Sequence, residues 1–377
     1  MRSKSLASIA VATGLALAVS ACGANTSSNT GGSTNSNSGS GGGTKVGVIL
    51  PETATSARWE GFDKPLLEAA LKKEGLDPDI QNAQGDVQKF STLADGMINA
   101  GVKVLIIATP NSEVGASVAK KAQAQGIQVI DYDRLNTGGS SSYYVSFDNV
   151  KVGELQGQGL VEGVAKLVPG KKPAEIIEVE GSPTDNNATL FTEGQHKVLD
   201  AKYASGDLKK VQSQAIDGWD NQKGGQVFEQ MLTGNGNKID GVVAANDGLA
   251  GAVITVLKKV GLNGKIPVTG QDATPDGLQA VLRGDQYMTV FKPIKDEAEA
   301  TAKLAAALAK NDKAAADALA TGKTKDSKGN RDVPSVLLTA QLITKDKVKS
   351  VVDAGFVKAS EICVADTQAA CTELGIK

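Results

Sequence analysis

From residue 45 onward, short β-branched runs alternate with amphipathic stretches of helical length, and this alternation limits the possible folds more than any other feature of the chain. The runs fall at 45–50, 102–108, 127–131, 174–180, 239–244, 265–270 and 287–291. The stretches between them, at 59–74, 87–100, 113–126, 149–167, 187–199, 220–232 and 248–260, carry a helical period. Runs that are apolar from end to end must be covered on both faces, which requires parallel sheets with helices above and below. The expected class is α/β. A chain of 377 residues exceeds one ordinary core, so two lobes are expected.

In open α/β sheets ligands sit beyond the carboxyl ends of the strands, so function is sought in the residues just after each run. Those residues are Arg58-Trp59, Asp133-Arg134, Asp185-Asn186-Asn187, Asn246-Asp247, Gln271-Asp272 and Lys292. Most carry planar groups able to make two hydrogen bonds, and a ring of carboxylates, amides and cations suits a neutral ligand with many hydroxyls. The only two tryptophans, Trp59 and Trp219, also follow predicted strands. A single tryptophan so placed ordinarily fills core or caps a helix. Two beside a polar ring suit stacking on the apolar face of a pyranose.

The N-terminus reads as an export address. Arg2 and Lys4 precede an apolar stretch at 6–19 that is too short to span a bilayer comfortably. Val19-Ser20-Ala21-Cys22 then looks like a bacterial lipobox, which makes 1–21 a lipoprotein signal peptide and Cys22 the lipidated first residue of the mature chain. The alternative is an ordinary secretory signal with an incidental cysteine. Residues 23–43 are all Gly, Ser, Asn or Thr except Ala24, so 22–43 is expected to be a flexible tether with ends roughly 25 Å apart. A globule held outside the cytoplasm on a lipid anchor follows. Cys363 and Cys371 remain as one pair in an oxidising compartment, and a disulfide between them would contribute ~2–3 kcal/mol as a local clasp.

Several function classes are disfavoured. The 40 basic and 42 acidic residues include no long cationic run, which argues against nucleic acid. One histidine, His196, and three cysteines make no zinc centre of conventional spacing. Pro51-Glu52-Thr53-Ala54 follows the first strand where a dinucleotide enzyme would carry Gly-x-Gly-x-x-Gly, so no cofactor is expected. A glycosidase needs one carboxyl held as an acid, whereas Arg and Lys beside Asp133, Asp247 and Asp272 favour ionisation of all three. Gly157, Gly159 and Gly163 fall within a predicted helix and read as close helix packing.

The chain resembles the type I periplasmic solute-binding proteins of ABC sugar importers over about residues 45–360. The stretches that carry the resemblance are Arg58-Trp59, Asp131-Tyr132-Asp133-Arg134, Ser146-Phe147-Asp148-Asn149 and Gly181-Ser182-Pro183-Thr184-Asp185-Asn186-Asn187-Ala188. They continue with Asp217-Gly218-Trp219, Ala245-Asn246-Asp247, Gly270-Gln271-Asp272-Ala273, Thr289-Val290-Phe291-Lys292-Pro293 and Asp332-Val333-Pro334-Ser335. Lys64, Phe291 and the Cys363/Cys371 tail depart from the family pattern.

The resemblance implies two Rossmann-like lobes, a hinge of three crossovers and one monosaccharide in the cleft. It is strongest toward xylose-binding members, so D-xylose is the expected ligand, with glucose, galactose or arabinose as alternatives. Arg58, Asp133, Arg134, Asn186, Asn246, Asp247, Asp272 and Lys292 are the implied contacts, with Trp59 and Trp219 sandwiching the sugar ring. Crossovers are expected near 147–149, 271–272 and 291–293. The first lobe would then be 44–148 with 273–291, and the second 149–272 with 292–377, including a helix at 296–310 and a strand at 333–342. A monomer that binds without catalysis and serves an ABC permease with its ATPase is expected; a sensor presenting the sugar to a receptor is the alternative.

Overall fold

The computed structural model describes residues 43–377. The expected leader, Cys22 and nearly all of the linker lie outside them. Twelve strands run through the described chain: β1 (Thr44–Leu50), β2 (Leu76–Asn82), β3 (Val104–Ile107), β4 (Gln128–Tyr132), β5 (Tyr143–Phe147), β6 (Ala174–Glu180), β7 (Leu208–Ala215), β8 (Gly241–Ala244), β9 (Met288–Phe291), β10 (Gly322–Asp326), β11 (Arg331–Leu338) and β12 (Gln341–Thr344).

The first lobe is built on one seven-stranded sheet in the order β10-β11-β5-β4-β3-β1-β2, parallel except for β10 against β11. Pleating divides its apolar residues between two cores. Val46, Val48, Leu50 and Ile130 face helices Lys64–Lys73 and Ile294–Ala309, while Ile49, Leu105, Ile107 and Val129 face Val87–Asn99 and Ser112–Gln123. The second lobe carries β7-β6-β8 in parallel and the antiparallel pair β9-β12. The expected strand at 265–270 is a connector between these two sheets, beginning in a turn at Lys265. Its only ladder pair is Val242–Val268, and the Val268 carbonyl accepts from the Tyr287 amide (2.9 Å).

The expected division into lobes is corrected by strand pairing. β11 pairs with β5 from Ser335–Tyr144 to Leu338–Phe147, so it completes the first sheet. Helix Ile294–Ala309 buries Ala298, Ala302 and Ala305 against that sheet. Residues 273–291 belong to the second lobe instead: the Asp272 amide donates to the Val290 carbonyl (2.9 Å), and helix Pro275–Arg283 packs among the C-terminal segments. The chain therefore crosses between lobes after β5, after β9 and between β11 and β12, and no crossing occurs at 271–272. The run expected as one strand at 333–342 is two, one in each lobe. At the hinge the Asp148 amide donates to the Leu338 carbonyl (3.0 Å), tying two crossings together.

Strands β2 and β7 carry no clear sequence signal because they are outermost in their sheets. An edge strand needs less apolar surface and tolerates proline, hence Pro78 within β2. Glycines at helix contacts act as spacers: a methyl on Gly163 would lie 2.5 Å from Pro267, and one on Gly159 2.5 Å from Met288. Cys363 and Cys371 form a disulfide with Cα atoms 5.8 Å apart, and Cys371 is buried with Leu278, Val281 and Leu282 of helix Pro275–Arg283.

Candidate functional site

The strand ends of both lobes face a small, tightly closed cavity of about 30 Å³. Eight of the ten expected residues line it: Arg58, Trp59, Asp133, Arg134, Trp219, Asn246, Asp272 and Lys292. Asn186 and Asp247 do not. Each is the first residue of a helix whose N-cap is the preceding side chain, Asp185 or Asn246, and the cap is what reaches the cavity. One residue beyond Asn186, the helical turn brings Asn187 to the cavity in its place.

Glu52, Ser56, Asp185, Asn187, Phe191 and Gln271 complete the lining. Most of them had a sequence signal. Glu52 lies two residues past the end of β1, Asp185 is a recognisable N-cap, Phe191 lies one helical turn past Asn187, and Gln271 adjoins Asp272. Ser56 had none. His196 lies elsewhere in the second lobe, between Asp200 (2.6 Å) and Glu178 (3.4 Å).

Arg58 is the hub of the first lobe's contribution. Its Nε and Nη2 donate to both oxygens of Asp63 (2.9 and 2.7 Å), Nη1 to Asp133 (2.7 Å) and Nη2 to Glu297 (3.1 Å). Tyr132 donates its hydroxyl to Asp63 (2.7 Å). Burial opposes the guanidinium charge, but Asp133, Asp63 and Glu297 outweigh it and hold Arg58 above the ordinary arginine value. Burial also works to raise Asp133, yet Arg58, Lys292 and Arg134 together pull that carboxyl below its ordinary value. Glu297 is raised, by burial and then by the charge of Asp133. Trp59 begins a π-helical turn, Trp59–Asp63, the irregular winding that lets Arg58 and Asp63 face each other.

A second set of charges spans the cleft. Arg134 Nε lies 3.0 Å from Asp185, Nη2 donates to Glu52 (3.3 Å) and Nη1 to the Thr109 carbonyl (3.0 Å). Lys292, at a hinge crossing, lies 3.0 Å from Asp272 and 3.8 Å from Asp133. Asn187 of the second lobe donates to the Asp133 carbonyl of the first (2.9 Å). The lobes are thus drawn together through the same residues that line the cavity.

Three lining residues carry backbone strain. Asp133, Trp219 and Asp272 have φ of 58°, 57° and 100°, a region that costs a non-glycine residue on the order of 1–3 kcal/mol. Surrounding bonds hold the shape: the Asp133 amide donates to Val145 (2.8 Å), and its carbonyl also accepts from Tyr144 (2.8 Å) and Ser146 (2.9 Å).

The indole N–H of Trp59 donates to Glu52 (3.0 Å) and that of Trp219 to Asp185 (3.1 Å), which fixes both rings by their polar edges. Arg134 Nε, Asp272 Oδ1 and Gln271 Oε1 are buried, and none makes a hydrogen bond within the protein. The first two have ion-pair neighbours at 3.0 Å, Asp185 and Lys292. Buried polar groups are normally satisfied, so these three atoms can take hydrogen bonds from a guest in the cavity.

Asp247, expected to touch ligand, instead braces the second lobe. It accepts from Gln286 (2.8 Å), Thr289 (2.8 Å) and the Thr274 amide (2.9 Å). Burial pushes its carboxyl up to about 7, opposed by the Gln286 bond and aided by the charge of Asp272. A raised carboxyl supplies stability that is complete in acid below its unfolded pKa and is lost as pH rises through the folded value. Asp247→Asn should cost about 1–3 kcal/mol of stability by mispairing those donors. It should also flatten the fall of melting temperature between pH 5 and 8, with sugar affinity within a few-fold of the parent. Some slope will persist through Asp131, raised by burial to about 6. An unchanged slope in thermal melts would contradict this role.

A family model described as a periplasmic binding protein domain matches residues 46–313. The D-xylose-binding periplasmic protein of Escherichia coli is 38% identical over 319 residues, covering 84% of this chain and 92% of that protein. The multiple sugar-binding periplasmic receptor ChvE of Rhizobium radiobacter is 34% identical over 331 residues, covering 84% and 92%. Among solved structures, a carbohydrate transporter solute-binding protein from Chloroflexus aurantiacus in complex with D-glucose superposes with a TM-score of 0.75 at 29% identity, covering 84% of this chain and 97% of that one. Two α/β lobes with a cleft at their strand ends, and matches that span nearly all of the globule, mean that the chain belongs to the periplasmic binding protein family and has its type I fold.

Proposed function

We propose that this protein captures a monosaccharide outside the cytoplasm, D-xylose above other aldoses, and delivers it to the permease of an ABC importer. The observation that carries this reading is the interlobe cavity, with two indoles fixed by their edges, a ring of charged and amide groups, and buried hydrogen-bonding capacity unused within the protein. The indoles stack on the sugar faces, carboxylates accept from its hydroxyls, and Arg58, Arg134, Asn187, Asn246 and Lys292 donate to them. Because these groups come from both lobes, the sugar bridges the cleft and selects the closed state. Moving a 1:99 balance to its reverse takes about 5.5 kcal/mol of differential affinity, within reach of several charge-assisted bonds at ~1.5–3 kcal/mol each. Relatives named as binding proteins for D-xylose and for multiple sugars support the ligand class. Calorimetric titration with D-xylose, D-glucose, D-galactose and L-arabinose tests it, and an absence of binding across the panel would end the sugar assignment.

The globule is held at the membrane by lipid on Cys22, through the glycine- and serine-rich tether. Mass spectrometry of the mature N-terminal peptide should find Cys22 first and acylated, and Cys22→Ala should release the protein from membranes. An unmodified Cys22 in the mature chain would refute the anchor. Presentation of the sugar to a receptor is a second reading, favoured by the relative named as a receptor. Loss of sugar uptake when the neighbouring permease is deleted distinguishes transport from it.

A further inference from the structure

Among the residues that line the cavity, Phe191 is the one whose role the hydrogen-bonding scheme leaves open. Apart from Trp59 and Trp219 it is the only apolar side chain there, and every other lining residue is polar or charged. Its ring stands at 65° to the plane of Trp219 with centroids 6.5 Å apart. If Trp219 covers a face of the sugar, a ring set so steeply to it is a side wall along the sugar's edge.

The edge of a pentopyranose is hydroxylated at four ring carbons and bare at the fifth, where C5 is a methylene next to the ring oxygen. A cavity with polar groups around its rim and one apolar wall matches that outline. Accordingly, and resting on the sugar-capture reading above, we propose that Phe191 is the specificity-determining residue of the site, lying against C5 and selecting pentopyranoses over hexopyranoses. D-Glucose is D-xylose with a hydroxymethyl group on C5, so the extra carbon would point into this wall.

The wall is unable to recede. Phe191 belongs to helix Asn186–Ala204, which lies against helix Asn149–Leu167 at backbone-to-backbone distance. A methyl on Gly153 would lie 2.0 Å from the Phe191 carbonyl oxygen, and one on Gly194 would lie 1.9 Å from that of Val150. Two glycines thus clamp the turn that carries Phe191, and Gln195 one turn further donates to Gln156 (2.9 Å). Interiors packed this tightly repack only at a cost, so the space for a hydroxymethyl group must come from the side chain itself.

The test compares D-xylose and D-glucose by calorimetry on the parent and on Phe191→Ala. The parent should prefer xylose by about 10–200-fold, the range available to steric selection of one extra carbon group. Phe191→Ala should reduce that ratio at least tenfold, through a smaller loss, or a gain, for glucose. Phe191→Leu, with intermediate bulk, should fall between them, and it decides the matter if circular dichroism shows the alanine variant unfolded. Equal affinity of the parent for the two sugars, or a ratio unchanged in a folded variant, overturns the assignment while leaving sugar capture intact. Failure of the parent to bind either sugar strikes the underlying reading instead.

Discussion

Replacing Arg58 with methionine is expected to remove about 3–5 kcal/mol of folding stability and to abolish measurable sugar binding. The guanidinium is buried and contacts Asp63, Asp133 and Glu297, of which Asp63 and Glu297 are fully enclosed. Without it, three carboxylates share the site with Lys292, 3.8 Å from Asp133, as the nearest remaining cation. Such charges leave the interior or take up protons. Burial already raises Asp63 and Glu297 despite the opposing charge of Arg58, and its loss raises them further. Groups raised in the folded state stabilise it below their unfolded pKa and lose that contribution as pH climbs. The deficit of Arg58→Met should therefore be larger at pH 8 than at pH 5. Urea denaturation at both pH values measures it, and a loss below about 1 kcal/mol at pH 8, or one that grows toward acid, would show that the hub carries no such load. Adding Asp63→Asn and Glu297→Gln to the same chain should recover part of the stability without restoring binding.

Arg134→Ala should leave the fold intact and weaken D-xylose binding at least 100-fold, equivalent to about 2.7 kcal/mol. Two losses combine. A fork of donors facing the cavity disappears, and the ion pair to Asp185 that joins the lobes goes with it. Truncating one member of a buried charged pair typically costs ~2–5 kcal/mol because its partner is left behind. Asp185, raised by burial and held down mainly by Arg134, would then lose its principal stabiliser. Arg134→Lys should fall between parent and alanine, since an ammonium keeps the charge but not the planar fork. Titration calorimetry and small-angle scattering separate the effects, the first reading affinity and the second the sugar-induced compaction. Affinity within about threefold of the parent would place Arg134 outside the working site.

Elements differ in how clearly the sequence marks them, and the reason is burial. Helix Asn149–Leu167 and strand β6 match their expected bounds because each is covered on its apolar face or faces and its pattern is written in full. Strand β7 is Leu-Lys-Lys-Val-Gln-Ser-Gln-Ala, largely exposed at a sheet edge, and nothing in it opposes a loop reading. Within the site, strand ends marked the loops, and the family resemblance picked out of them eight residues that line the cavity. The resemblance picked Asn186 and Asp247 from those loops as well, and neither lines the cavity, because a motif locates a loop to within a residue or two while helix winding decides which side chain turns inward. Asp185 and Asn187 at one such junction, and Asn246 at the other, are the residues that winding selects.

By itself the sequence determined the α/β class, the chemistry of the cavity rim and the polar character of its guest. Those properties live in local composition: buried strands must be apolar, and groups that grip hydroxyls must be planar and polar, wherever the chain later takes them. Only the tertiary structure decided which lobe owns helix Ile294–Ala309 and strand β11, and therefore where the hinge runs. That choice is made by hydrogen bonds between β11 and β5, nearly two hundred residues apart, and by small alanines fitting one particular sheet face. The same holds for Phe191 as a side wall, since an angle between two rings on different segments has no local signature.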